Sequence, residues 1–214
     1  MKAPAFINEE SKRSRVQIPL RAPIILLGVM TIQRNESITL LKQHVTEPVL
    51  IKHCLAVGAI MRGIASEINE NPELYENCGI LHDVDFQTTK ENPAEHGLLA
   101  QQILEGKIPQ ESLQAIKAHN HEHTGLPPNS KIDFALIASD ALSGLVIAAA
   151  LVRSDKKLSE VKPKSIAKRF KEKGFARACR RELILYCEKL GIERTRFFEI
   201  ALTSLQSIHE ELGL

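Results

Sequence analysis

From Ile132 to Val152 the chain is almost wholly apolar. Its only charges are Asp133, near the start, and Asp140, at the middle. Neither proline nor a turn cluster interrupts it, and a helix of ~20 residues would be about 30 Å long. A helix that is apolar all round must be buried, either in a protein core or in a bilayer. An acid at mid-helix and another at the start favour the core, and no membrane partner is expected. The rest of the chain therefore has to supply helices that wrap this one. A second apolar run, Ala22–Met30, is too short to span a bilayer, which takes ~20 apolar residues. It follows a basic stretch as a signal peptide would, but no small-residue cleavage site comes after it.

The flanking pattern is helical and punctuated by Asn-Pro and Pro. One helix is expected from Asn35 or Ser37 through Val45. Thr46 is then a suitable N-cap for a helix opening at Pro48 and running to about Ile68, with Leu50, Val57, Ile60 and Ile64 on one face. His53 lies on that face. Asn71-Pro72 starts a helix to Leu81, and Asn92-Pro93 another to Leu104 with His96 in its first turn. Pro109–His119 follows, then His119-Asn120-His121-Glu122-His123. Beyond Val152, basic amphipathic helices are expected over Ser165–Phe175 and Ala176–Leu190, and a last helix over Glu193–Leu212. Aromatics are 4% and Trp is absent, so the core must be Leu, Ile, Ala and Val, a mixture that favours helix over sheet. The expected fold class is all-α, a compact bundle of many helices.

Charge is unevenly placed. Formal net charge is +2, yet Arg153–Arg181 holds twelve Lys or Arg against three acids, a local +9 that leaves −7 elsewhere. This stretch is either a solvated face of amphipathic helices or a positive rim that steers anionic substrates. A nucleic-acid partner is conceivable, but only Phe170 and Phe175 are interleaved, so a stacking platform is not supported. The four cysteines show no CxxC spacing and no disulfide-framework density, which is consistent with a cytoplasmic location. Cys54 reads as packing, and Gly58, Gly63 and Gly144 as sites of close helix approach.

The chemistry lies in His82-Asp83, delivered at the end of an apolar helix. A buried carboxylate or imidazole has to be paired or coordinated. His53 and Asp140 face inward on other helices, and one divalent cation would satisfy all four residues. Each also has a plainer reading: His53 as a hydrogen-bonded core histidine, Asp140 as a buried partner, His82 and Asp83 as a solvent-facing helix end. A mixed N/O set suits Mn, Fe, Co, Ni or Zn, with Mg also allowed.

His53, then His82-Asp83, then Asp140, all on helices, resembles the HD superfamily of metal-dependent phosphohydrolases, over about Asn35–Leu151. The segment VRSDKKLSEVKPKSIAKRFKEKGFA further resembles a small prokaryotic HDIG-type hydrolase subgroup. The resemblance implies that His53, His82, Asp83 and Asp140 are metal ligands. It implies that Asp83 also orients the water nucleophile, and that one or two divalent ions bind per chain. His96 and His119 stand where ligands of a second ion would fall, with His121 a further candidate and a surface role the alternative for His96. The implied activity is hydrolysis of a phosphate ester of a nucleotide or related small molecule by metal-activated water. The alternative is a non-catalytic module that binds nucleotide or metal in a regulatory role. Lys117, or the basic stretch, is the candidate phosphate-binding cation. The chain departs from the HDIG form, with His82-Asp83-Val84-Asp85, and lacks the Lys that often follows, the next being Lys90. Asp85 reads either as a residue orienting a ligand or as a helix-ending acid. The expected organisation is 1–29 as a poorly ordered or mis-assigned extension, with Met30 a candidate initiator. Residues 30–152 then form the metal-binding domain, and 153–214 form basic helices packed on it.

Overall fold

The computed structural model describes Met1 and residues 32–214, so the expectations for 1–29 and for Met30 lie outside the described residues. Among the described residues every regular element is helical. They are α1 (Arg34–His44), α2 (Pro48–Glu67), α3 (Pro72–Leu81), α4 (Phe86–Thr89), α5 (Leu98–Leu104), α6 (Gln110–His119), α7 (His121–Thr124), α8 (Lys131–Leu151), α9 (Pro163–Lys171), α10 (Arg181–Ile184), α11 (Arg194–Ser207) and α12 (His209–Leu212). Short 3-10 turns cover Leu158–Glu160 and Leu185–Leu190.

The apolar run is α8, and it is buried. Leu136, Leu142, Leu145 and Val146 are all fully enclosed. At ~1.5–3 kcal/mol for each large side chain buried, this helix is a main source of stability. Its start is fixed by a capping box, in which the Ser130 hydroxyl accepts from Asp133 N–H while Asp133 accepts from Ser130 N–H. Helices α2, α6, α9 and α10 pack around α8, and α11 packs on α2. Both α2 and α8 are long and apolar enough to cross a membrane by length and composition, and both are mostly buried in this core.

Helices α2 and α3 meet closely because both contribute glycine at the contact. A Cβ on Gly79 would lie 2.7 Å from Gly58 Cα, and one on Gly58 would lie 2.9 Å from the Glu76 carbonyl. This crossing brings the two histidine-bearing helices together. Gly63 likewise faces Ile200 of α11, 2.9 Å from where its Cβ would be. Gly144 differs from the expectation, since its Cβ would meet nothing within 4 Å.

Other departures are local. The N-cap of α2 is Glu47, and Thr46 N–H instead donates to the Gln87 side chain at 2.8 Å. The helix expected from Asn92-Pro93 starts only at Leu98, because residues 92–97 form turns ending in left-handed Gly97 (φ 85°). His96 therefore sits in a turn and not in a helix. The basic helix from Ser165 stops at Lys171, and no helix runs from Ala176, whose φ is +44°. Residues 172–180 instead form a loop bound to Arg181. That guanidinium donates to five carbonyls: Arg169, Phe170, Glu172, Phe175 and Cys179. These include the Phe170 carbonyl near the end of α9 and the Arg169 carbonyl, which also accepts from the C-cap N–H of Glu172. The last expected helix is broken near Ile208 into α11 and α12.

Candidate metal centre

Helix α3 begins with a double cap. Asn71 Oδ1 accepts from Glu73 N–H at 3.0 Å and Leu74 N–H at 3.3 Å, and Pro72 takes the first helical position. The helix delivers His82 at its C-cap, fully buried. His82 Nδ1–H donates to the Gly79 carbonyl at 2.7 Å. That leaves Nε2 as a lone pair. It is buried, it has no hydrogen-bond partner, and it lies 3.3 Å from Asp83 Oδ1.

The same arrangement recurs at the other histidines. His53, in the second turn of α2, directs Nδ1 to the Ser143 hydroxyl at 3.3 Å. Its Nε2 is 3.1 Å from Asp140 Oδ1 and 3.7 Å from Asp83 Oδ2. Ser143 is one turn after Asp140 on α8 and donates to its carbonyl at 2.9 Å. His119, at the end of α6, donates from Nδ1 to the Ile116 carbonyl. His96 donates from Nδ1 to Asp85 Oδ1 at 2.9 Å. In each ring the protein occupies Nδ1, while Nε2 points to the carboxylates of Asp83 or Asp140. Such outer hydrogen bonds fix the tautomer and aim the lone pair of a metal-ligating histidine.

Asp83 joins two sets of donors. One is His53, His82 and Asp83, and the other is Asp83, His96 and His119, with the ligand atoms of each set within 4.8 Å of one another. Asp140 closes the first set, 4.0 Å from His82 Nε2. In the second set, His96 and His119 Nε2 are 2.9 Å apart, and they lie 3.3 and 3.6 Å from Asp83 Oδ1. Two imidazole nitrogens at that distance need a proton or a cation between them. The spacing suits neighbouring ligands on one ion, whose metal–nitrogen bonds are about 2.0–2.1 Å. A donor set of imidazole and carboxylate fits a first-row divalent ion.

Burial and mutual contact shift the titration of these groups in opposite directions. Burial pushes His82 down to about 4 against the pull of Asp83 and Asp140. Burial also opposes charge on His96, but hydrogen bonds to Asp83 and Asp85 outweigh it and raise that ring to about 10. For Asp83, burial is overcome by the surrounding histidines, His82 foremost, and its carboxyl is held well below the ordinary range. Asp140 is lowered and His53 raised: in both, burial is outweighed by the contact between them.

Asp85 is placed to orient the His96 ring. It is fully buried, and besides His96 it accepts from Gly97 N–H at 2.8 Å and Ala100 N–H at 2.9 Å. It thereby ties the His96 turn to the start of α5. Asn120 completes that tie by donating to the carbonyls of Pro93 and His96 at 2.7 and 3.0 Å. His121 is not part of the cluster. Asn120 ends α6, and the His121 ring turns toward Tyr186, with centroids 6.3 Å apart. Lys117 does not line the cleft over the cluster. Among the described residues, the Lys or Arg that does is Arg180, with Leu50, Phe86 and Leu183, in a cleft of about 590 Å³.

The HD domain family model matches residues 50–161, more than half of the chain. The chain belongs to the HD domain family. The match takes in His53, His82, Asp83 and Asp140 together, and the His/Asp composition of the cluster is that of a phosphohydrolase metal site. Ribonuclease Y of Desulfotalea psychrophila is 30% identical over 97 residues, 44% of this chain and 18% of that protein. Ribonuclease Y of Clostridium botulinum is 25% identical over 169 residues, 76% of this chain and 32% of that protein. This HD-family chain thus spans less than a third of the length of these relatives. No solved structure gives a significant match.

Proposed function

We propose that this HD-domain protein is a metal-dependent phosphohydrolase that cleaves a phosphate ester of a nucleotide. The observation that carries the reading is the convergence of four imidazole Nε2 atoms on Asp83 and Asp140, each ring fixed from behind through Nδ1. In this reading His53, His82, Asp83 and Asp140 hold one divalent ion. His96, His119 and the shared carboxylate of Asp83 hold a second.

A bound divalent ion supplies a water of lowered pKa and polarises a phosphoryl oxygen. The protein supplies placement. Asp83 lies at the joint of both donor sets, where its carboxylate would accept a hydrogen bond from a water and orient it toward phosphorus. Asp85 and Ser143 keep His96 and His53 in register. Arg180, at the rim, faces the charge of the phosphate. Leu50, Phe86 and Leu183 form apolar walls that suit a nucleoside. The names of the ribonuclease Y relatives favour a nucleotide over other phosphate esters.

The test is metal content per purified chain, followed by a screen of nucleotides, dinucleotides and generic phosphate esters with Mn, Mg, Ni or Co. Bound metal with turnover of a nucleotide ester is expected. Folded protein with neither metal nor turnover would overturn the assignment.

A further inference from the structure

A second cleft, of about 380 Å³, also borders His53 and Asp140. It shares His53, Asp140, Arg180 and Leu183 with the cleft over the cluster. One wall is α8 at Ala141, Ser143 and Gly144, and the other is the loop at 176–180. A group bridging the two clefts would pass over His53 and Asp140.

The loop wall is built firmly. Arg181 holds it from behind through the carbonyls of Glu172, Phe175 and Cys179. The Cys179 thiol donates to the Ala141 carbonyl at 3.0 Å, which pins the loop to α8. Ala176 is held at φ +44°, a conformation that favours glycine. Backbone strain maintained by surrounding contacts is characteristic of functional segments.

This wall presents two cations. Arg177 is exposed and has no carboxylate partner among the described residues. Arg180 forms a two-point contact with Glu122 at 2.6 and 2.7 Å. Both members are exposed, and such a pair adds little net stability. A phosphate, with its own matched oxygen pair, can therefore take Arg180 from Glu122.

The facing wall is open for a reason that packing does not give. Gly144 is mid-helix and exposed, and its Cβ would meet nothing within 4 Å among the described residues. Alanine would form a better helix there. The missing side chain leaves the cleft floor clear instead.

We propose that this cleft is a second phosphate subsite, in which Arg177 and Arg180 hold the neighbouring phosphate of a nucleotide chain while the scissile ester lies over the Asp83 cluster. The substrate class is then a short single-stranded oligonucleotide carrying phosphate on the flanking nucleotide, and not a lone nucleoside monophosphate. Glu122 is its competitor: it occupies Arg180 until the substrate phosphate arrives. The inference rests on the hydrolase reading for the role of the cluster, but its own content is a binding preference.

The test is calorimetric binding of a dinucleotide with and without a 5′-phosphate, both with a cleavage-resistant phosphorothioate linkage, to Mn-loaded full-length protein. The 5′-phosphate should tighten binding by ~10-fold or more, as expected for charge-assisted contacts. Arg177→Ala and Arg180→Ala should each erase most of that difference, with Arg177→Lys restoring part of it. Gly144→Leu should block the cleft and erase it too, with an unchanged helical spectrum. Glu122→Gln should enlarge it by freeing Arg180. Equal affinity for the two ligands, absence of binding by both, or a preference that survives both arginine variants would overturn the subsite. Turnover of the normal dinucleotide is scored separately: its absence overturns the hydrolase reading, while the binding preference is still read by itself.

Discussion

Asp85 and His96 are joined by a buried 2.9 Å hydrogen bond in which the imidazole N–H donates to the carboxylate. The other carboxylate oxygen accepts two backbone N–H groups, from Gly97 and Ala100. One side chain thus sets both the tautomer of a candidate ligand and the path of the turn that carries it. His96 comes from no helix, so without Asp85 nothing regular would aim it at Asp83.

Asp85→Asn tests this relationship. The amide has one acceptor oxygen, so it cannot serve His96 and the two backbone donors together. A buried donor left unpaired costs ~1–3 kcal/mol, and a lost outer-shell partner lowers metal affinity by about 10–100-fold. The expected outcome is a lower melting temperature together with weakened binding of the second ion, read by thermal unfolding and by Mn titration. Unchanged affinity for both ions would show that Asp85 shapes the turn through Gly97 and Ala100 without tuning a ligand.

Two glycines should respond in opposite directions. Gly79→Ala would place a Cβ 2.7 Å from Gly58 Cα and must push α3 off α2. Overpacking of this kind costs about 1–3 kcal/mol. The shift should also weaken metal binding, because His82 rides on α3 and His53 on α2. Denaturant unfolding and metal titration measure the two effects.

Gly144→Ala meets nothing within 4 Å and should stabilise α8 by ~0.8–1 kcal/mol, the helix-propensity difference. A rise in the unfolding midpoint is expected. Destabilisation would mean that the open floor at Gly144 is packed by something else.

Arg181→Lys should release residues 172–180. Lysine carries the charge but lacks the planar fork that reaches five carbonyls from one position. Hydrogen exchange should accelerate across the loop and the end of α9, with metal content per chain retained. Unaltered exchange there would show that the loop is held by Cys179 and packing alone.

How far the sequence could be read depended on how local each signal was. The extent of α3 follows from Asn71-Pro72 at one end and His82 at the other, and α8 follows from an apolar run with a capping box at its start. The inward placement of His53 and Asp140 is a matter of helical period, and they do meet, at 3.1 Å. Asp85 stayed ambiguous because its partners Gly97 and Ala100 reach it only once the 92–97 turn has folded. His121 falls outside both donor sets, and α6 ends just before it, with Asn120 as its C-cap. The helices expected on either side of Gly174 leave 172–180 as a loop, in which Ala176 takes φ +44° and Arg181 binds the carbonyls of Glu172, Phe175 and Cys179. Arg180 could not be singled out among twelve cations by charge alone; its place at the junction of two clefts is a tertiary fact.

The central claim is that Asp83 is the shared ligand of two donor sets. The most direct measurement is the stoichiometry of Mn binding by calorimetry for the wild-type protein, His119→Ala and Asp83→Ala, each shown to be helical by circular dichroism. The account predicts two ions per chain for the wild type, one for His119→Ala and none held tightly by Asp83→Ala. Full stoichiometry and affinity in Asp83→Ala, or a folded wild-type protein that binds no ion, would contradict it.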